Sequence, residues 1–506
     1  MTASNDLRDE STSQLDEHAR LVPTKPARTP LPRGQLAILC LTRLAEPIAY
    51  TQIFPYVNQM MADLHVTDDP SQIGFYSGLV DSIFALAQLP TIYRWGKFSD
   101  RIGRKPVLLM GLTGVALSSF CFGLSNSLIT ALIARSLAGA LSGNSAIIQS
   151  MIGELTDETN VGQAAPLTGI CWSLGCIIGP LIGGTFSHPA TRYPDLFGDF
   201  AFLHGHPYFL PSFISTTITL ISAFLGYIFV EETLPSIVAA KKLEKAALAA
   251  QPVTYGSTTK DLPIRSTSSP ATPANELSAW DILTHPTARS VFLSGFMLSG
   301  FAIGFDIVFT LFSYTTIDLG GIGRDPAQIG QALSSAGLLS MTLQLFAFPV
   351  LQRRIRSVHL YMALMAMWPL AYGALPFINL VARMGKQADG TLSPAAESGV
   401  WVGIAIAMAF GKVACMAFAL NVLLVKNAAP NKQALGSMYG LSQTCSSIAR
   451  SISPAFVSSL FAWSAEHELL GGNLVWVIMF ALGAVGVFAA MNVIDGSEIQ
   501  KEQEQN

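Results

Sequence analysis

The chain has 506 residues, half of them apolar, with only 12% charged and a mean hydropathy of +0.44. A water-soluble protein of this length carries roughly 25% charged residues, so soluble multidomain architectures are excluded. The formal net charge of −3 offers no basic field for nucleic acid, and the information lies in where the charges fall.

Residues 1–33 are polar and read as a disordered cytoplasmic tail without a secretory leader. Twelve apolar segments follow, most of them about 20 residues or longer, enough to cross a hydrocarbon core about 30 Å thick. The first six cover approximately 35–58, 73–94, 106–124, 127–151, 163–186 and 208–230. The second six cover approximately 288–312, 327–350, 358–381, 399–425, 436–462 and 473–494. All six cysteines (Cys40, Cys121, Cys171, Cys176, Cys415, Cys445) fall inside these segments, which excludes a disulfide framework in external loops. The expected fold is an all-α polytopic membrane protein with two six-helix halves, 34–230 and 288–494. A cytoplasmic linker, 231–287, joins them, and a cytoplasmic tail, 495–506, ends the chain. The linker opens with charges and becomes Ser/Thr/Pro-rich across 254–273, and Leu277–Leu283 has the pattern of a short interfacial helix.

With both termini inside, 22 of the 30 Lys and Arg face the cytoplasm, counting Arg289 at the head of segment 7. Arg192, Arg324, Arg383 and Lys386 face out, and the positive-inside rule sets this topology. The halves show a faint repeat. Gly179-Pro180 in segment 5 matches Ser453-Pro454 in segment 11, and Arg353, Arg354 and Arg356 follow segment 8 as a cationic turn follows segment 2. That turn, Gly96–Lys105, joins antiparallel neighbours with four cations in ten residues.

Seven ionisable residues lie well inside apolar segments: Arg43, Glu46, Asp81, Arg135, Asp306, Lys412 and Arg450. Such residues face a bundle interior or a wet cavity. Each reads either as an ion-pair partner that orients helices or as a group that handles protons or substrate. Arg43 and Glu46 share a face at i, i+3, and Pro47 favours a bend after them. Asp81 and Asp306 have no base nearby on their own segments, and Lys412 and Arg450 are candidates to neutralise an anionic substrate or to pair with Asp306. Gly175, Gly179 and Gly183 recur every four residues, a smooth helix face for close packing, with Pro180 permitting a kink. Tyr50, Phe54, Trp172 and Phe305 are candidate cavity aromatics. His188 and the pair His204-Gly205-His206 fall in the outside loop 5–6, where the pair is too sparse for a metal site.

Three motifs carry a family resemblance. Gly96, Asp100, Arg101, Gly103, Arg104 and Lys105 resemble the loop 2–3 motif of the major facilitator superfamily. Arg135-xxx-Gly139 resembles its segment 4 motif. Gly175, Gly179, Pro180, Gly183 and Gly184 resemble the segment 5 motif of its antiporters, with Pro166 where a glycine is often found. Arg43-Leu-Ala-Glu46-Pro-Ile and Phe54-Pro55-Tyr56 resemble fungal relatives of the zinc-induced facilitator-like group.

The resemblance implies a proton-coupled secondary transporter of the twelve-span drug:proton antiporter type, exporting a small organic molecule by alternating access. The alternatives are a uniporter or symporter for a nutrient or metal ion, and a non-transporting sensor. The family links Arg135 to proton coupling, and Glu46, Asp306 and Asp81 are the candidate proton carriers. It also places Asp100 near the start of segment 11, around Gly436-Ser437, as a cytoplasmic gate. There Arg101 and Arg104 would pair with Glu154 or Asp157. No enzyme activity, cofactor or resident metal is expected, since no His-rich or metalloprotease spacing occurs on the cytoplasmic side, and without a Gly-xxxx-Gly-Lys-Ser/Thr phosphate loop the energy must come from a gradient. The expected partners are substrate, protons and the bilayer, with the protein a monomer and the plasma membrane preferred over the vacuolar membrane.

Overall fold

The computed structural model describes residues 29–156, 160–240, 243, 284–388, 390–428 and 435–493. The tails, Asp157, most of the linker and Leu277–Leu283 lie outside the described residues, as do the side chains at Pro166, Gly436 and Ser437.

Where no water reaches the backbone, each N–H and C=O must be paired within its own segment, and the apolar runs are accordingly helical. In the first half the helical passages are α1 (Arg33–Thr51), α2 (Ile73–Ile102), α3 (Arg104–Gly123), α4 (Leu128–Leu155), α5 (Val161–Phe186) and α6 (Phe209–Phe229). The second half contributes α7 (Pro286–Tyr314), α8 (Pro326–Arg354), α9 (Ser357–Gly385), α10 (Pro394–Asn427), α11 (Leu435–Glu466) and α12 (Leu474–Met491). Among the described residues, nine of these are long and apolar enough to cross a membrane by length and composition. The other three, α1, α2 and α11, carry more polar residues, and four of the seven intramembrane charges sit on them.

The two halves repeat one packing plan. In the first, α1 packs on α5, α2 on α4, and α3 on α6; in the second, α7 packs on α11, α8 on α10, and α9 on α12. Two symmetry-related pairs, α2 with α11 and α5 with α8, join the halves. The passages alternate in direction, so one face carries both chain ends (the termini face), and the loops 1–2, 5–6 and 7–8 lie on the opposite face. On the opposite face, loop 5–6 forms three short helices, Pro189–Arg192, Pro194–Phe197 and Ala201–Gly205.

Several passages are interrupted. The bend expected at Pro47 falls later: α1 runs unbroken to Thr51, turns through 52–56, and resumes as Val57–Asp63. The chain turns where Pro55 has no N–H to donate, while Pro47 stays inside the helix. Passage α4 breaks at Ser142-Gly143, and its counterpart α10 breaks at Cys415-Met416. Broken helices in matching positions of two repeats mark a binding region at mid-depth.

Candidate functional site

The structure sets six of the seven charges in three acid–cation pairs, each within one half. Arg43 Nη1 meets Glu46 Oε2 at 2.8 Å, with both side chains about nine-tenths buried. The other Glu46 oxygen accepts from the Ser142 hydroxyl at 2.9 Å, and the Ser142 carbonyl accepts from Gln88 at the same distance. The α4 break makes this possible, because it frees the Ser142 backbone from the helix ladder and turns it toward α1 and α2.

Asp81 is 1% exposed and lies 4.0 Å from Arg135 Nη2. Neither carboxylate oxygen of Asp81 has a hydrogen-bond partner among the described residues. Gly139 explains the proximity: a β-carbon there would overlap the Phe84 carbonyl of α2, so only glycine lets α4 sit this close. The Arg135 guanidinium then lies 4.8 Å from the Phe84 ring and 5.7 Å from Tyr50, a cation–π setting that partly replaces its lost water.

In the second half Asp306 and Lys412, on α7 and α10, meet at 2.8 Å. The sequence placed no base beside Asp306 because its partner is 106 residues away. Arg450 on α11 donates to the Ser447 hydroxyl at 3.1 Å.

Just beyond these charges the halves are sealed toward the opposite face. The Ala455 N–H donates to Ser82, and the Gly78 backbone rests against Ser458 and Pro454. Across the bundle Gly184 packs against Pro326 and Gly330, and Ser334 donates to the Ile177 carbonyl. Arg192 of loop 5–6 reaches Asp325, the N-cap of α8, at 3.0 Å. On the termini side, by contrast, a β-carbon at Gly153, Gly169 or Gly440 would meet nothing within 4 Å among the described residues.

The candidate aromatics divide. Trp172 is 36% exposed and stands 6.2 Å from Tyr50. Phe305 is 1% exposed and packed on Trp368 and Tyr372, and Phe54 is buried against Tyr50, so these two are core rather than cavity wall.

The segment 5 glycines serve two contacts, within their own half and across to the other. Gly175, Gly179 and Gly183 press on α1 at Pro47, Thr51 and Gln52 within their own half, while Gly184 and the Pro180 carbonyl meet Gly330 of the other half. Gly183 faces backbone, the Gln52 carbonyl, which cannot rotate away. Gly183→Ala is therefore expected to destabilise the protein by about 1–3 kcal/mol. Gly153→Ala, in open space on α4, is expected to be neutral or stabilising by up to about 1 kcal/mol. Thermal unfolding of both variants in detergent checks the pair, and equal midpoints would refute the assigned packing.

The cationic turn is shorter than its charge pattern suggests. Helix α2 continues to Ile102, and the reversal is made by Gly103 alone, at φ +108. Apolar patterning ended the segment near Tyr93, but the charged residues after it extend the helix beyond the apolar zone. Arg104 pairs with Asp100 at 2.6 Å and with Glu154 at 2.9 Å. Arg104 thus holds Glu154, while Arg101 is exposed. Asp100 is 56% exposed here, and its expected contact near Gly436 involves side chains outside the described residues.

A residue the sequence reading left in the linker completes this cluster. The Glu232 carboxylate accepts from the N–H groups of Arg104 and Lys105 at 2.8 and 3.1 Å, and Thr233 donates to Glu154 at 2.5 Å. An anion at a helix start is favoured by the dipole and by the unpaired N–H groups. Its sequence signal was only an acid following an apolar segment.

On the opposite face His188, in the left-handed region at φ +52, bonds Asp63 at 2.8 Å and Tyr208 at 2.9 Å, and Tyr208 also donates to Asp63. Burial raises the pKa of Asp63, but the bonds from His188 and Tyr208 outweigh it and hold it below the usual carboxylate value. His204 bonds the Gly198 carbonyl, which ties the loop together.

Two pseudo-symmetric helical halves, sealed on one face around buried charges at mid-depth, define a secondary transporter. The chain belongs to the Major Facilitator Superfamily, whose profile matches residues 39–454. It is an integral, multi-pass membrane protein. It is 37% identical to the major facilitator-type transporter psiT2 of Psilocybe cyanescens, over 94% of this chain and 92% of that protein. It is 29% identical to the multidrug transporter mfsB of Aspergillus fumigatus, over 86% and 79% of the two chains. Identity to ZINC INDUCED FACILITATOR-LIKE 1 of Arabidopsis thaliana is 26%, over 94% of each chain. Among solved structures, a D-xylose-proton symporter superposes with a TM-score of 0.63 at 14% identity, covering 92% of this chain and 98% of that one. This last likeness concerns the fold alone.

Proposed function

We propose that this protein is a proton-coupled exporter of a small amphipathic organic molecule, working by rocking its two halves about a mid-depth site. The observation that carries the reading is the Asp306–Lys412 pair. It joins an acid that can take a proton to a cation that the acid then releases, and Asp306 remains 27% exposed. The multidrug relative and the segment 5 antiporter motif support the outward direction. The charge bias supports a cytoplasmic termini face, on which reading the conformer is closed to the outside and its mid-depth charges are approached from within.

In this cycle, outward opening breaks the Arg192–Asp325 bridge and parts α2 from α11, while the Arg104–Glu154–Glu232 cluster travels with the first half as one piece. A proton entering through about 100 mV supplies roughly 2.3 kcal/mol, besides any pH gradient.

The test is reconstitution of the full chain into proteoliposomes with an imposed pH gradient. Gradient-driven movement of a fluorescent amphipathic dye against its concentration is the expected result. Dye movement indifferent to the gradient refutes antiport, and dye movement with the protons in place of against them makes the protein a symporter.

A further inference from the structure

We infer that Arg450 anchors a negatively charged group of the transported molecule, so that the solute is an organic anion or zwitterion. This rests on the transporter reading above and deepens it by naming a substrate class.

The argument is one of charge pairing at depth. The interiors of the membrane passages hold four cations and three acids. Each acid already faces a cation: Glu46 faces Arg43, Asp306 faces Lys412, and Asp81 faces Arg135. The cation left over is Arg450, whose hydrogen bond among the described residues goes to a neutral hydroxyl, Ser447. Glu46 bonds Arg43 and Ser142, and no hydrogen bond or ion pair joins it to Arg450 among the described residues. An uncompensated cation inside a membrane is costly and functional by default. A guanidinium is also the side chain best shaped to grip a carboxylate, sulfonate or phosphate through paired N–H donors.

Its position fits a solute site. Arg450 stands one helical turn on the termini side of Pro454, which packs on Gly78 in the seal. Ala455, five residues on along α11, bonds Ser82 of α2, and Phe84 beside it packs 5.1 Å from Tyr50, whose ring neighbours the partly exposed Trp172, so an apolar or aromatic body has a wall on that side.

The test uses the full chain in nanodiscs of neutral phosphatidylcholine, without any gradient, so that a failure of proton coupling leaves it untouched. The probes are naphthalene-2-acetate, its uncharged amide and 2-naphthylethylamine, measured by equilibrium binding. Wild type is expected to bind the acetate at least about tenfold tighter than the amide. Arg450→Gln should bring that ratio to about one, and Arg450→Lys should restore part of it. Arg450→Gln removes a half-buried cation that has no acid partner among the described residues, so its melting temperature should equal or exceed that of wild type. A wild type indifferent to the anionic group, whether it binds all three probes or none, overturns the assignment. So does an unchanged ratio in Arg450→Gln. If phosphatidylglycerol in the disc abolishes the preference, a lipid headgroup is the anion and the assignment is likewise overturned.

Discussion

Asp306→Asn is expected to abolish the response of transport to a pH gradient, lowering gradient-driven accumulation by more than about tenfold. Downhill exchange of the same solute across the membrane should persist. The reason lies in the pair at 2.8 Å between α7 and α10. With Asp306 ionised, Lys412 is neutralised; with Asp306 protonated, Lys412 is released as an unpaired cation. An unpaired charge at mid-depth costs about 2.5–3.5 kcal/mol on insertion scales, enough to shift a two-state equilibrium by about two powers of ten. Asparagine mimics the protonated form permanently, so the protein keeps one state of the switch and loses the other. Lys412 sits three residues before the α10 break at Cys415. Proteoliposome flux with and without the gradient measures the effect. A variant that keeps full gradient dependence removes Asp306 from the coupling role.

The second large effect is on stability. Glu46→Ala leaves the Arg43 guanidinium nine-tenths buried with its carboxylate partner gone, and its Nε already lacks a hydrogen bond among the described residues. Breaking one side of a buried pair costs about 3–5 kcal/mol. The variant is expected to express poorly and to melt well below wild type in detergent. Removing both charges, as Arg43→Met with Glu46→Leu, should recover most of that stability, because the pair itself adds little over apolar packing. Transport should not return, since Glu46 also holds the α4 break through Ser142. A Glu46→Ala protein as stable as wild type, or a double variant no better than the single one, contradicts the ion-pair account.

Much of the fold was legible because a bilayer punishes unpaired backbone and buried charge severely. Apolar run length located the passages, and the asymmetry of Lys and Arg set the expected orientation. The seven intramembrane charges stood out for the same reason, since any one of them is anomalous in an apolar run. Their partners were legible only where they lay within a helical turn. Arg43 and Glu46 are three residues apart, and their pairing follows from helix geometry alone. Asp306 and Lys412 are 106 residues apart, and nothing local in the chain joins them.

The chain itself determined the helical class, the two-half duplication, and the positions where charge and small residues interrupt the apolar pattern. Those features are set by residue chemistry against the bilayer and by the 3.6-residue period. Only the tertiary structure decided which of those residues touch. It split the segment 5 glycines between α1 and α8, recruited Glu232 from the linker to the turn at Gly103, moved the α1 break to Pro55, and buried Phe305 while exposing Trp172. It also left Arg450 as the cation without an acid among the described residues, which no count of charges along the chain reveals. Contacts between helices depend on rotation and depth to within one side chain, and sequence spacing sets neither across a hundred residues.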